Sequence, residues 1–183
     1  GLALGWAGAA RAREALGRLG PAAAAWNRAV DRAPLDPAIL TGRGGFRLRA
    51  GNFEGALADF DAARRRAPDP ALDFNRGLAL AALERDAEAE RAFSAVIRAT
   101  PGDAAAWLNR ARLRVSRDRE AALRDFTAAI ERAPDWAVPV FERGVLRDAM
   151  GREADADVDY RRAWELGLRN EFLNARMLEM GRG

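Results

Sequence analysis

Residues 51–68, GNFEGALADFDAARRRAP, decide how the chain is read. Ala56, Phe60 and Ala63 are spaced by four and three residues, which places them on one face of a helix. Gly51 suits a turn ahead of that helix, and Pro68 closes the segment behind it. The same set recurs. Pro34, Pro68, Pro101 and Pro134 lie 34, 33 and 33 residues apart. Eight residues before each stands an aromatic (Trp26, Phe60, Phe93, Phe126), and four residues earlier an alanine (Ala22, Ala56, Ala89, Ala122). A fifth set, Ala156 and Tyr160, runs to Leu168 without the proline.

A second helical stretch lies between each proline and the next such helix. Asp36-Pro37, Asp69-Pro70 and Asp103 open three of them, since Asp caps a helix N-terminus and Pro fits the first helical position. The pattern predicts ten helices in five hairpins, over 2–17, 21–33, 37–50, 53–66, 70–83, 86–99, 103–116, 118–132, 137–150 and 153–166. Gly44, Gly77, Ala111 and Gly144 stand where the first helix of a hairpin must approach the second, and a larger side chain would overpack the contact. One hairpin cannot bury its own apolar stripe, so the units must stack. The tail LRNEFLNARMLEM, with Phe172, Leu173, Met177 and Met180 within reach of one face, is expected to cap the last hairpin.

Composition narrows the chemistry. Among the 183 residues there is no Cys, His, Lys or Gln, so all 30 basic residues are Arg. Thiol chemistry, zinc–cysteine sites and histidine bases are excluded. The Arg and Ala bias suits a GC-rich bacterial genome. A pI near 10.6 accompanies a net charge of only +3, because little titrates between the carboxylates and Arg; it is a weak pointer to nucleic acid. No apolar run is long enough for a transmembrane helix, and the opening GLALGWAGAA is too short, and lacks the basic leader, for an intact signal peptide. A soluble chain of the cytoplasm or periplasm is expected. With Gly rather than Met at position 1, a longer native chain is expected too.

These residues resemble the tetratricopeptide repeat (TPR) family. The unit ending at Pro68 matches best, with Gly44, Gly51, Phe53, Ala56, Phe60, Ala63 and Pro68 in register. Trp107, Ala111, Ala122, Phe126, Ala129 and Pro134 match in the fourth unit, and Gly144, Gly151, Ala156, Tyr160 and Ala163 in the fifth. The first is the most worn, keeping Trp6, Ala22, Trp26, Ala29 and Pro34. The resemblance implies an all-α, right-handed superhelical solenoid of five hairpins plus a capping helix over 169–180. It would form a single repeat domain over 1–183, with repeats at 1–34, 35–68, 69–101, 102–134 and 135–168. It implies a concave wall built from the first helices.

One departure from the family is a charge. Arg43, Arg76, Arg110 and Arg143 precede the small residue, and Asp59, Ala92, Asp125 and Asp159 precede the partner helix's aromatic. Ion pairs Arg43–Asp59, Arg110–Asp125 and Arg143–Asp159 are predicted, which leaves Arg76 without a matching acid. Arg13, Arg47, Arg114 and Arg147, four residues further on, read as stems covering the helix seam with their heads in water.

Asn75 and Asn109 lie two residues before the small contact residue, about 200° round the helix from it, and so point away from their own hairpin partner. In the family that direction is the groove, so the resemblance implies a peptide-binding role for the two amides, which donate and accept at once. The groove would add Arg49, Phe74, Leu78, Leu108, Arg112, Phe141 and Glu142. A tolerated polar residue on an exposed face is the alternative. Of the positions at which chaperone-binding members clamp a carboxylate, only Asn75 survives. The first helices are net basic and the second net acidic, which favours an acidic or backbone-rich partner.

The expected function is a non-catalytic protein-interaction scaffold with no cofactor or metal. A self-associating or assembly subunit is the alternative. Nucleic acid is disfavoured because Trp6, Trp26, Trp107 and Trp164 are claimed by packing, leaving Trp136 as the exposed stacking platform.

Overall fold

The structure is a computed structural model that describes residues 1–181. Those residues form eleven helices and no strand: α1 (Leu2–Ala15), α2 (Leu19–Arg32), α3 (Pro37–Arg49), α4 (Phe53–Arg64), α5 (Pro70–Ala82), α6 (Asp86–Ala99), α7 (Ala104–Arg114), α8 (Arg119–Arg132), α9 (Ala137–Asp148), α10 (Glu153–Glu165) and α11 (Glu171–Met180). The helices expected from the repeat all form, with ends shifted by up to two residues. They pair as α1–α2, α3–α4, α5–α6, α7–α8 and α9–α10, and α11 packs on α10. The chain divides into two compact units, Gly1–Ala99 and Thr100–Gly183.

Local chemistry sets the helix ends. Asp36 accepts from the amides of Ala38 (2.9 Å) and Ile39 (3.2 Å) with Pro37 at the first helical position, and Asp69 does the same for Ala71 (2.8 Å) ahead of Pro70. Asn52, Asp103, Asp118 and Asn170 cap α4, α7, α8 and α11. Each such cap satisfies an orphan amide and stabilises its helix by roughly 1 kcal/mol. Gly51 and Gly151 make the hairpin turns at φ 77° and 73°, a region costly for any residue with a Cβ.

In the first unit, Trp26, Ala22 and Ala29 of α2 pack against Ala7 and Ala10 of α1 and Ile39 and Phe46 of α3. Phe60 of α4 then fills the space left by Gly44. A Cβ at Gly44 would stand 2.7 Å from the Phe60 ring, and one at Gly77 equally close to Phe93, so the repeated small residue lets the aromatic in. In the second unit Phe126 packs with Leu108, Ala111 and Leu146, while Tyr160 packs with Val140, Ala163 and Leu173. Burial, with Asp148 near its hydroxyl, pushes the Tyr160 phenol well above its ordinary range, so the ring is a neutral packing element. Leu173 is the side chain of α11 that seals this cluster, helped by Met177 and Met180; Phe172 stays about half exposed, edge-on to Tyr160 and Phe141.

The three predicted Arg–Asp pairs form, and each is a fork. Arg43 donates Nε and Nη2 to Asp59 (2.9 and 2.7 Å), Arg110 to Asp125 (both 2.8 Å), and Arg143 to Asp159 (3.0 and 2.7 Å). Arg47, Arg114 and Arg147 do not hold their heads in water as expected. Each donates to the same aspartate, at 2.8, 3.0 and 2.8 Å, because the Oδ2 that accepts the first arginine's Nε also faces them one turn along the helix. The aspartates are 3%, 2% and 1% exposed, so each is a buried anion between two cations. Trp136 is also corrected: it is half-buried against the Phe126 cluster rather than a free platform.

Candidate functional site

The candidate site lies on the first helices of the second unit, α7 and α9. In α9, Arg143, Gly144 and Arg147 are committed to α10 through Asp159 and Tyr160. Phe141, Val145 and the C-cap residue Ala149, spaced by four residues, form an adjoining stripe along the same helix. With Arg112 and Val115 at the end of α7, and Phe126 and Leu146 beneath, they line an apolar pocket of about 340 Å³. That lies within the size range of small-ligand and side-chain pockets. Val145 is 43% exposed, an unusual place for an aliphatic residue in a helix otherwise well packed.

A charged bridge spans the rim. Arg112 donates Nε to Glu142 Oε2 at 2.8 Å and engages the other oxygen through Nη2. The bond to Glu142 raises the Arg112 pKa above its already high ordinary value, so the guanidinium is a permanent cation. The pair is exposed, and an incoming chain could exchange partners with it at little cost, since such pairs contribute about 0–1 kcal/mol. Asn109 sits one turn before Arg112. Its amide NH2 donates to the Ala105 carbonyl at 2.8 Å. The oxygen of that amide has no partner among the described residues, leaving it as an acceptor.

Of the expected groove residues, Arg112, Phe141 and Glu142 come together around this pocket, with Asn109 beside them. Leu108 does not belong: it is 1% exposed and part of the Phe126 core, because it falls on the side of α7 that faces α8. The remaining residues lie in the first unit. Phe74 leans edge-on against Phe93 at 5.6 Å, Asn75 and Leu78 are half-buried on α5, and exposed Arg49 ends α3 paired with Glu14. The pocket residues that sequence reasoning missed are Val115, Val145, Leu146 and Ala149. The available signal was the four-residue spacing that continues from Phe141 past the ion-paired arginines.

Against known families, the tetratricopeptide repeat model matches residues 8–71, 47–104 and 74–116. The chain belongs to the TPR family. No curated protein is detectably similar in sequence. Among solved structures, MamA from Desulfovibrio magneticus RS-1 is similar at a TM-score of 0.83, with 17% identity covering 90% of this chain and 94% of that one. YrrB, described as a TPR protein with an unusual peptide-binding site, gives 0.74, with 18% identity over 93% and 88%. The thermophilic TPR protein TTC0263 of Thermus thermophilus gives 0.70, with 22% identity over 97% of each chain. At these identities the likeness establishes the TPR fold. Among the described residues, no helix of this TPR chain is long and apolar enough to cross a membrane.

Proposed function

We propose that the chain is a non-catalytic scaffold that holds a peptide segment of a partner protein on its first-helix face. The α7–α9 pocket anchors one apolar side chain of that segment. The observation that carries the reading is the open pocket of Phe141, Val145, Val115 and Ala149 under the exchangeable Arg112–Glu142 bridge. Desolvating one buried Leu- or Phe-sized side chain contributes roughly 1.5–3 kcal/mol. The polar rim and the Asn109 oxygen then select direction and register along the backbone of the bound chain. In the first unit Phe74, Asn75, Leu78 and Arg49 offer the corresponding mixture of ring, amide, aliphatic and cation. The peptide-binding site named for YrrB supports the same use of the fold. A chain without His or Cys is also poorly equipped for acid–base or nucleophilic catalysis.

The test is selection of peptides on the immobilised chain from a random library, followed by measurement of each against variants. Val145→Glu should weaken binding at least about tenfold, because it puts a charge where an apolar side chain must sit. Asn109→Ala should weaken it by a smaller factor. Peptides that bind Val145→Glu as tightly as the parent place the site elsewhere.

Self-association is the second reading, favoured by one observation: Leu2, Leu4, Leu16 and Leu19 of the first hairpin are all well exposed. Light scattering across a concentration series checks it. A constant monomer mass removes it.

A further inference from the structure

The second helices carry a different kind of surface. Between α4, α5 and α6 lies a cavity of about 210 Å³, floored by Ala92 and Ala95 and ringed by Arg64, Arg76, Arg91 and Arg98. The carboxylates near it are already held. Asp73 is paired with Arg64 at 2.7 Å and Arg76 at 3.6 Å; Asp61 accepts from Arg76; Glu88 receives both nitrogens of Arg85 at 2.8 and 2.9 Å. Arg91 and Arg98 are exposed, and neither has a hydrogen bond or ion pair among the described residues.

The repeat supplies its own control. The residues 67 positions further along, around α10, are Glu131, Arg143, Val158, Asp159, Arg162 and Glu165 in place of Arg64, Arg76, Arg91, Ala92, Ala95 and Arg98. Three cations of the α4–α6 pocket thus become Val or Glu, and the acid that neutralises Arg143 becomes Ala92. The register is kept while the charge is reversed. In the same register Arg91 and Arg98 correspond to Ala58 and the C-cap residue Arg65 of α4 and to Arg124 and Glu131 in α8, so α6 carries both cations where those helices carry one.

We propose that the α4–α6 pocket is a docking surface for an acidic segment of a partner protein, with Arg91 and Arg98 as its anchoring cations. The two side chains leave α6 seven residues apart, roughly 10.5 Å along the helix axis. A peptide in the polyproline II conformation advances about 9 Å per three-residue turn and returns i and i+3 to the same face, so carboxylates at those positions reach one guanidinium each. A single phosphate is too small to engage both. Ala92 and Ala95 keep the floor low enough for a peptide backbone to lie between α6 and Arg76. Carboxylate–guanidinium contacts of this kind form as charge-assisted forks.

The experiment uses the whole chain and fluorescence anisotropy with a labelled ten-residue peptide carrying Glu at every third position. Its Gln counterpart, inorganic phosphate and a single-stranded oligouridine serve as comparison probes. The Glu peptide should bind and the Gln peptide should not. Arg91→Glu with Arg98→Glu should weaken binding at least about tenfold, and Arg91→Gln with Arg98→Gln by a smaller factor, with unchanged circular dichroism. Arg18→Glu with Arg161→Glu, an equal change in net charge at residues that do not line the pocket, should leave it within about twofold. Equal weakening by that control pair, no binding of the Glu peptide, displacement by phosphate alone, or tighter binding of the oligouridine would each overturn the proposal.

Discussion

The hairpins α3–α4 and α5–α6 are neighbours in one unit and share a backbone plan, yet they solve one electrostatic problem differently. In α3–α4, Asp59 is buried between Arg43 and Arg47, so the ion pair ties a hairpin to itself. In α5–α6 the acid is Ala92 and the second arginine is Leu80, both buried and apolar. The remaining Arg76 turns instead to Asp61 on α4 and to Asp73 one turn before it on α5. The arginine is the constant and its partner is the variable. A buried ion network and an apolar pair of similar shape can stabilise a fold to similar degree, provided neither is left half-built. Leaving the remaining arginine without a carboxylate is what the chain avoids.

That account predicts a large asymmetry between the two hairpins. Asp59→Ala leaves two guanidiniums facing a vacated site, at a cost of about 3–5 kcal/mol, read from the urea midpoint at constant slope. The matching swap in full is more informative. Asp59→Ala combined with Arg47→Leu recreates the α5–α6 solution, with Arg43 free to reach Asn27, to which it already donates at 3.3 Å. The double variant should recover about 1–2 kcal/mol of the single variant's loss. A purely additive pair would break the comparison, because it would mean that the arginines do not sense each other through Asp59.

How much of this could be read from the sequence follows from the range of each interaction. Helix positions, caps and the Gly44–Phe60 type of contact repeat with fixed spacing, and each is decided within one hairpin. The Arg43–Asp59 fork was legible for the same reason. Arg47 was not, because a lone arginine four residues on looks the same whether its head meets water or an oxygen it shares with the first arginine. Arg76 was unreadable for a different reason: its acids sit on the preceding helix and on its own, outside the repeat's pairing rule. At the candidate site, Phe141, Arg112 and Glu142 were legible from helix facing. Leu108 was misplaced because a position near the edge of the helix face can turn inward or outward within the angular error of a 3.6-residue period. Val145 was missed because its exposure depends on what α9 packs against.

The turns extend the comparison. Gly51 turns α3 into α4 at φ 77°, whereas Glu84 holds the corresponding turn before α6 at φ 57°. A side chain there meets the following carbonyl oxygen, which costs roughly 1 kcal/mol or more. Glu84→Gly should therefore raise stability by about 1 kcal/mol, less the unfolded-state entropy that glycine adds. Gly51→Glu should lose at least as much. Equal midpoints for both variants would show that the surrounding backbone, and not the residue, sets the turn.

The smallest effect is the most diagnostic. Asp61 is 38% exposed on its side chain and Arg76 20%, against 4% for Asp59, so solvent screens the hairpin-to-hairpin pair far more than the internal one. Asp61→Ala should cost about 0.2–1 kcal/mol in dilute buffer, and little of that should survive in molar salt, where the screening length falls to about 3 Å. Asp59→Ala should keep most of its penalty under the same salt. Urea unfolding of both variants at low and high ionic strength reads the difference directly. If Asp61→Ala proves as costly and as salt-resistant as Asp59→Ala, Arg76 has rebuilt the buried network with a borrowed acid. If the two diverge as expected, the α5–α6 hairpin stands on apolar packing alone, and its arginines are free for use at the surface.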